Sequence, residues 1–150
     1  MAHQGSGRFL VALQFLTLAA QLFLAGHVLT VDPAPPGALG LAAISLALGL
    51  WALLANRPGN FNIHPAPRLS GRLIREGPYR TIRHPMYTAL MGVGVALGWI
   101  INSFPGWMLC LTLVCVLSIK ALLEEWMLAR HYPDYAEYRA RTRAFVPFVF

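Results

Sequence analysis

Apolar residues fall into four long runs along the chain, at about 9–31, 37–55, 85–102 and 105–123, separated by turn residues or arginines. A hydrocarbon core of about 30 Å needs roughly 20 apolar residues in helical form, so the pattern predicts four transmembrane helices. The first run contains no Asp, Glu, Lys or Arg. It is longer than the apolar core of about 7–15 residues found in signal peptides, and reads as a retained span. Gln14, Thr17 and Gln21 recur within it at i, i+3 and i+7, a polar stripe expected to face protein rather than lipid.

The breaks are as informative as the runs. Pro33, Pro35 and Pro36 stop a helix after the first span, and Asn102-Ser103-Phe104-Pro105-Gly106 supplies a tight turn. The third and fourth spans are therefore expected to form an antiparallel hairpin. Residues 56–84 form a long loop in which Phe61–Pro65 and Leu69–Arg80 mix apolar and turn residues. That mixture points to an ordered pocket wall, with His64 in a structural role. In the tail, 124–150, Pro133 interrupts a helical pattern and Asp134 is placed to cap a helix over Tyr135–Arg141. The apolar end Phe145–Phe150 is too short to span and is expected to dock on the bundle or dip into the interface. The expectation is one domain over 1–150: an all-α membrane protein of four transmembrane helices, whose loop and helical tail form a pocket.

Composition agrees with a lipid environment: 57% of residues are hydrophobic and 12% charged, about half the charged share of a soluble domain. The net charge of +6 reads as topology. Arg8 precedes the first span, Arg57, Arg68, Arg72, Arg75, Arg80 and Arg83 lie between the second and third, and Arg130, Arg139, Arg141 and Arg143 follow the fourth. Because basic residues stay on the cytoplasmic side, both termini are expected there, in a bacterium at the inner (cell) membrane. Membrane lipids are the expected surroundings, and no nucleic-acid-binding module is present; oligomeric state is not legible. Cys110 and Cys115, five apart on one helix, cannot bridge each other, and no His or Cys pair has metal-ligand spacing.

Two charged clusters flank the predicted hairpin. His84 precedes Asn102 by 18 residues and Glu124 follows Gly106 by 18, so each stands about 27 Å from the turn at 1.5 Å per residue. Arg83-His84 and Glu124-Glu125 thus reach the same depth. With Pro85 as first helical residue, His84 becomes its N-cap, and the helix N-terminus together with Arg83 favours a carboxylate. Glu124 and Glu125 suit a cation, and Tyr79 and Tyr87 can stack a ring. A ligand with an α-carboxylate and an α-ammonium matches both ends. Positive-inside flanks, a solvated helix end and an aromatic belt account for the same residues, so spacing alone names no ligand. Lys120, one turn before Glu124, is expected either to pair with it or to snorkel. Gly94 and Gly98 form a Gly-x-x-x-Gly packing face.

The order Gly77-Pro78-Tyr79-Arg80-Thr81-Ile82-Arg83-His84-Pro85-Met86-Tyr87, then Glu124-Glu125, Tyr135, Tyr138 and Val146-Pro147-Phe148 resembles the isoprenylcysteine carboxyl methyltransferase family and its phospholipid methyltransferase relatives. The resemblance implies S-adenosylmethionine as cofactor at the cytoplasmic mouth, with Tyr79, Arg83, His84, Tyr87 and a glutamate of the Glu124-Glu125 pair around it, Glu124 being the one assigned here. It implies a small lipophilic or lipid-like acceptor, a carboxylate among the options, entering from the bilayer. A carboxylate needs no general base, whereas an amine or phenol must lose a proton, for which Glu125 is the expected residue; Arg139 or Arg143 is expected to hold an anionic substrate group. The chain has four predicted spans where the eukaryotic carboxyl methyltransferases have more. A non-catalytic membrane scaffold or ligand-binding subunit that keeps the fold is the alternative.

Overall fold

The computed structural model describes residues 2–56 and 73–147. Among these the chain forms five α-helices: α1 (Ala2–Val28), α2 (Pro36–Asn56), α3 (Pro85–Ile101), α4 (Phe104–His131) and α5 (Tyr135–Arg141), with a 3₁₀ turn at Gly77–Arg80. Three are long and apolar enough to cross a membrane: α1 over Gly7–Val28, α2 and α4. The third apolar run is helical as expected but has 17 residues, about 26 Å at 1.5 Å per residue. The expected loop wall over Phe61–Pro65, His64, Leu69–Arg72 and three of the loop arginines, Arg57, Arg68 and Arg72, lies outside the described residues, as does the end Phe148–Phe150.

Helix boundaries follow local chemistry. Asn102 takes a left-handed conformation (φ 43°) and closes α3, while Ser103 accepts from the Gly106 N–H as N-cap of α4. Pro105 and Gly106 therefore belong to the first turn of α4 and not to the connection, because proline is at home where no N–H is needed. α4 runs on to His131, ending just before Pro133. At 28 residues it is about 42 Å long, exceeding the roughly 30 Å hydrocarbon core. Its last turns carry Glu124 and Glu125 beyond the apolar stretch.

α3 is the centre of the assembly, packed against α2 on one side and α4 on another, with α1 lying on α4 and α3. Small residues set these spacings. A Cβ on Gly92 would collide with Ser45 Oγ of α2, and one on Gly94 would stand 2.6 Å from Leu113 Cδ2 of α4. The polar stripe of α1 faces inward: Gln14, Thr17 and Gln21 are all buried, and Gln21 donates to the Gly94 carbonyl at 3.0 Å. Lys120 corrects an expectation. It is 2% exposed and donates to Gln14 Oε1 at 2.5 Å, so it lies inside the bundle with Gln14, not Glu124, as its hydrogen-bond partner. The buried amide of α1 offers it an acceptor without leaving the bundle. Many large apolar side chains, such as Phe23, Ile44, Leu54 and Leu122, stay exposed on the outer faces, as lipid contact requires.

Candidate functional site

The tail returns across the start of α3. Arg143 N–H donates to the Thr81 carbonyl at 3.0 Å, Arg83 N–H to the Arg143 carbonyl at 2.7 Å and His84 N–H to the Ala144 carbonyl at 3.1 Å, a single parallel bridge between Ile82 and Arg143. The Thr88 hydroxyl extends the seam to the Phe145 carbonyl at 2.9 Å. α5 is expected and observed over Tyr135–Arg141, but Asp134 makes no side-chain cap and instead lies 3.6 Å from Arg75. Tyr138 donates its hydroxyl to the Tyr79 carbonyl at 2.8 Å, tying α5 to the 3₁₀ turn. Phe145, the first residue of the apolar end, is thus tied to α3 through its carbonyl.

That seam fixes Arg83 and His84 against the last turns of α4. Glu125 Oε1 accepts from Arg83 Nε at 2.7 Å and lies 3.2 Å from His84 Nε2; its Oε2 lies 3.4 Å from Arg139 Nε. His84 Nδ1 is 3.6 Å from Glu124 Oε2. The two clusters arrive at one depth, as counting along the hairpin predicts. His84 is the N-cap residue of α3, Pro85 follows in the first turn, and the His84 side chain makes no cap hydrogen bond to the helix N–H groups. Tyr87, one turn on, stacks on His84 at 5.5 Å between ring centroids and lies within electrostatic reach of Glu124.

The roles within the cluster differ. The Glu125 side chain is 9% exposed and both of its oxygens face cations, whereas Glu124 is 33% exposed. Arg83 uses Nε for Glu125 and Nη1 for the carbonyls of Thr142, at 2.6 Å, and Arg139, at 3.3 Å; its Nη2 makes no hydrogen bond among the described residues. Burial by itself disfavours the charged form of His84, yet hydrogen bonds to Glu124 and Glu125 and their charges raise its pKa above the usual 6.5. Burial, with the Glu124 charge added, pushes the Tyr79 phenol up, so it remains a hydroxyl. Arg139 is largely exposed apart from its contact with Glu125.

Tyr135 and Thr142 are the structural members that motif spacing alone leaves without a role. Tyr135 is 1% exposed and its buried hydroxyl has no hydrogen-bond partner among the described residues, although the charges of Glu125 and Arg83 act on it. Thr142 holds Arg83 through its carbonyl and closes α5 by donating its hydroxyl to the Tyr138 carbonyl. A groove of about 280 Å³ is lined by Arg75, Arg80, Glu137, Tyr138, Arg141 and Thr142. None of the seven residues expected at the site lines it. Among the described residues, no three His, Cys, Asp or Glu side chains converge as metal ligands.

An all-helical bundle with spans of membrane length and a charged knot at one end of α3 and α4 defines a class of membrane-embedded helical protein. Within that class the chain belongs to the phospholipid methyltransferase family, whose model matches residues 37–135, a family of integral membrane methyltransferases that includes isoprenylcysteine carboxyl methyltransferase-like proteins. It is similar to the cobalt-zinc-cadmium resistance protein CzcN of Cupriavidus metallidurans, with 33% identity over 73% of this chain and 48% of the relative. It is also similar to the nickel-cobalt-cadmium resistance protein NccN of Alcaligenes xylosoxydans xylosoxydans, at 32% identity over 71% of this chain and 52% of the relative. The chain spans about half the length of the curated relatives it matches.

Proposed function

We propose that this protein transfers a methyl group from S-adenosylmethionine to a small lipophilic or lipid-like acceptor at the cytoplasmic face of a membrane. The observation that carries the reading is the meeting of Arg83, His84, Glu124 and Glu125 from two helices at one point. Family membership supports the reaction type.

The donor groups fit the amino-acid end of that cofactor. Arg83 Nη2 and the N-terminus of α3 offer N–H groups to a carboxylate. The partly exposed Glu124 carboxylate accepts from an ammonium, and the orphaned Tyr135 hydroxyl gains a partner. When bound, the cofactor supplies an electrophilic methyl on a sulfonium. Glu125 then acts as a positioning residue and not as the proton acceptor expected from sequence, since it already holds Arg83, His84 and Arg139. Tyr79 and Tyr87 flank the ligand, with Tyr79 fixed through its carbonyl by Tyr138. Arg139, exposed at the mouth, holds an anionic substrate group. Displacement at the methyl needs alignment and exclusion of water more than proton transfer, and the returning tail supplies a cover.

In this reading α3 is the fourth span, short enough that the bilayer thins or flanking residues snorkel. Both termini and residues 56–84 face the cytoplasm, and the chain forms one domain. The relatives are named for metal resistance, but among the described residues no three metal-ligating side chains converge, and the charges of the cluster suit a zwitterion. Incubation of the purified full chain with methyl-labelled cofactor and a membrane extract tests the activity: label is expected in an extractable lipophilic product. Cofactor binding without any labelled product would favour the scaffold alternative.

A further inference from the structure

Three arginines from separate stretches of the chain converge on the groove beside α5. Arg75 precedes the 3₁₀ turn, Arg80 ends it and Arg141 ends α5, while Glu137, Tyr138 and Thr142 complete a lining around about 280 Å³. That volume sits at the lower edge of the roughly 300–1,000 Å³ of small-molecule sites, so the groove suits one polar group. Three guanidinium groups against one carboxylate leave its lining positive.

Little of that charge is used internally. Arg141 reaches Glu137 at 2.8 Å, but both side chains are more than half exposed, and a solvated i,i+4 pair of this kind is weak. Arg75 lies over the Tyr138 ring at 5.8 Å and 3.6 Å from the Asp134 carboxylate. Arg80 is exposed and, among the described residues, makes no hydrogen bond or ion pair. The floor beneath them is fixed. Tyr138 and Thr142 are buried, Tyr138 donating to the Tyr79 carbonyl and Thr142 to the Tyr138 carbonyl.

Position along the bundle selects the source of an anion for this groove. The turn that carries Arg80 packs on the last turns of α2: a Cβ on Gly77 would stand 2.9 Å from Ala55 Cβ and 3.2 Å from Trp51 Nε1. Trp51 is itself exposed, and an exposed tryptophan near the end of a spanning helix marks the level of the lipid headgroups. Guanidinium forks match phosphate oxygens in pairs, and a basic surface at that level attracts anionic lipid.

We propose that the groove holds the phosphate of an anionic phospholipid of the adjacent leaflet, with Arg80 and Arg141 as its principal donors. This lipid is a resident of the surface and not the methyl acceptor: none of Arg83, His84, Glu124 or Glu125 lines the groove. The inference therefore stands apart from the proposed methyl transfer.

The test measures binding of radiolabelled dioctanoyl phosphatidylglycerol and dioctanoyl phosphatidylcholine to the purified full chain in one uncharged detergent. Salt is held at about 0.15 M, where charges more than about 8 Å away are screened. The parent is expected to prefer the anionic lipid by about tenfold, the scale of one charge-assisted hydrogen bond. Arg80→Gln is expected to lower the preference and Arg80→Gln with Arg141→Gln to abolish it, both with an unchanged unfolding temperature because the two side chains are exposed. Arg130→Gln removes an exposed arginine that stacks on Trp126 outside the groove, and is expected to leave the preference intact. Inorganic phosphate at the concentration of the lipid is expected to displace none of it. Equal binding of the two lipids by the parent, or a preference that survives in the folded double variant, overturns the proposal. So does an equal loss in Arg130→Gln, which would make the effect one of general surface charge, and so does displacement by inorganic phosphate, which would make the groove a site for the free ion.

Discussion

Arg83 and Glu125 lie 42 positions apart in the chain and meet at 2.7 Å, with side chains 10% and 9% exposed. The contact joins the start of α3 to the end of α4 and fixes where the Arg83 guanidinium points. Glu125→Gln leaves Arg83 and His84 facing a neutral amide. Breaking one half of a buried ion pair costs about 3–5 kcal/mol, so a clear loss of thermal stability in detergent is expected. Arg83→Met combined with Glu125→Met is expected to recover much of it, since both charges are then gone. If the double variant is no more stable than either single variant, the pair is not the knot of this end of the molecule.

His84 predicts the direction of pH dependence. Its pKa is raised above 6.5 in the folded protein because Glu124 and Glu125 outweigh the effect of burial. The folded state therefore holds its proton more tightly than the unfolded chain does. The stabilisation is fully present below about pH 6.5 and is lost as pH rises through the raised folded-state value. Thermal midpoints from pH 6 to 9 are expected to fall across that window for the parent, and His84→Asn is expected to flatten the fall. An equal slope in both would remove His84 as the titrating group.

Close packing of α3 on α2 predicts a steric threshold at Gly92, where a Cβ collides with Ser45 Oγ. Gly92→Val is expected to destabilise by about 1–3 kcal/mol through overpacking, and Gly92→Val with Ser45→Gly to recover part of it. Gly40, with nothing within 4 Å of an added Cβ, is expected to accept alanine without cost. Thermal unfolding of the three variants in one detergent decides.

The four-span reading predicts that Arg80 and Asp32, both exposed, lie on opposite sides of the membrane. With Cys110 and Cys115 replaced by alanine, a cysteine at position 80 is expected to react with a membrane-impermeant maleimide only in inverted vesicles or broken cells. One at position 32 is expected to react in intact cells or right-side-out vesicles. Labelling of position 80 from outside would reverse the topology and move the cluster to the other face.

Much of the fold is legible in the amino-acid sequence because its signals are local or periodic. Polar stripe, proline breaks and apolar run lengths place Gln14, Gln21 and the four long helices, although α1 begins at Ala2 and α4 runs on to His131, beyond the apolar runs. Equal arm lengths of the hairpin bring His84 and Glu124 to one depth. What stays hidden depends on contacts between distant segments. The one-bridge seam between Ile82 and Arg143 has no periodicity to betray it, and so Thr142 carries no mark of site membership along the chain; Tyr135 stands in the order of residues that carries the family resemblance, but its burial against the cluster is not visible there. Lys120 stands one turn from Glu124 in the sequence, but its partner comes from another helix 106 positions away. Similarly, Glu125 looks like a free acid because nothing in the order of residues shows that three cations converge on it.

Calorimetric titration of S-adenosylmethionine, or its demethylated product, into the parent and Glu124→Gln tests the central claim most directly. Gln keeps the size of the side chain and removes the charge that faces the ammonium. A hydrogen bond to a charged group contributes about 1.5–3 kcal/mol, so affinity is expected to fall about tenfold to a hundredfold at 1.4 kcal/mol per decade, with His84→Ala causing a comparable loss. Parent binding with that drop, in variants that remain folded at the temperature of the titration, is the predicted result. No binding heat for the parent at millimolar cofactor, or equal affinity in folded Glu124→Gln, would contradict the account.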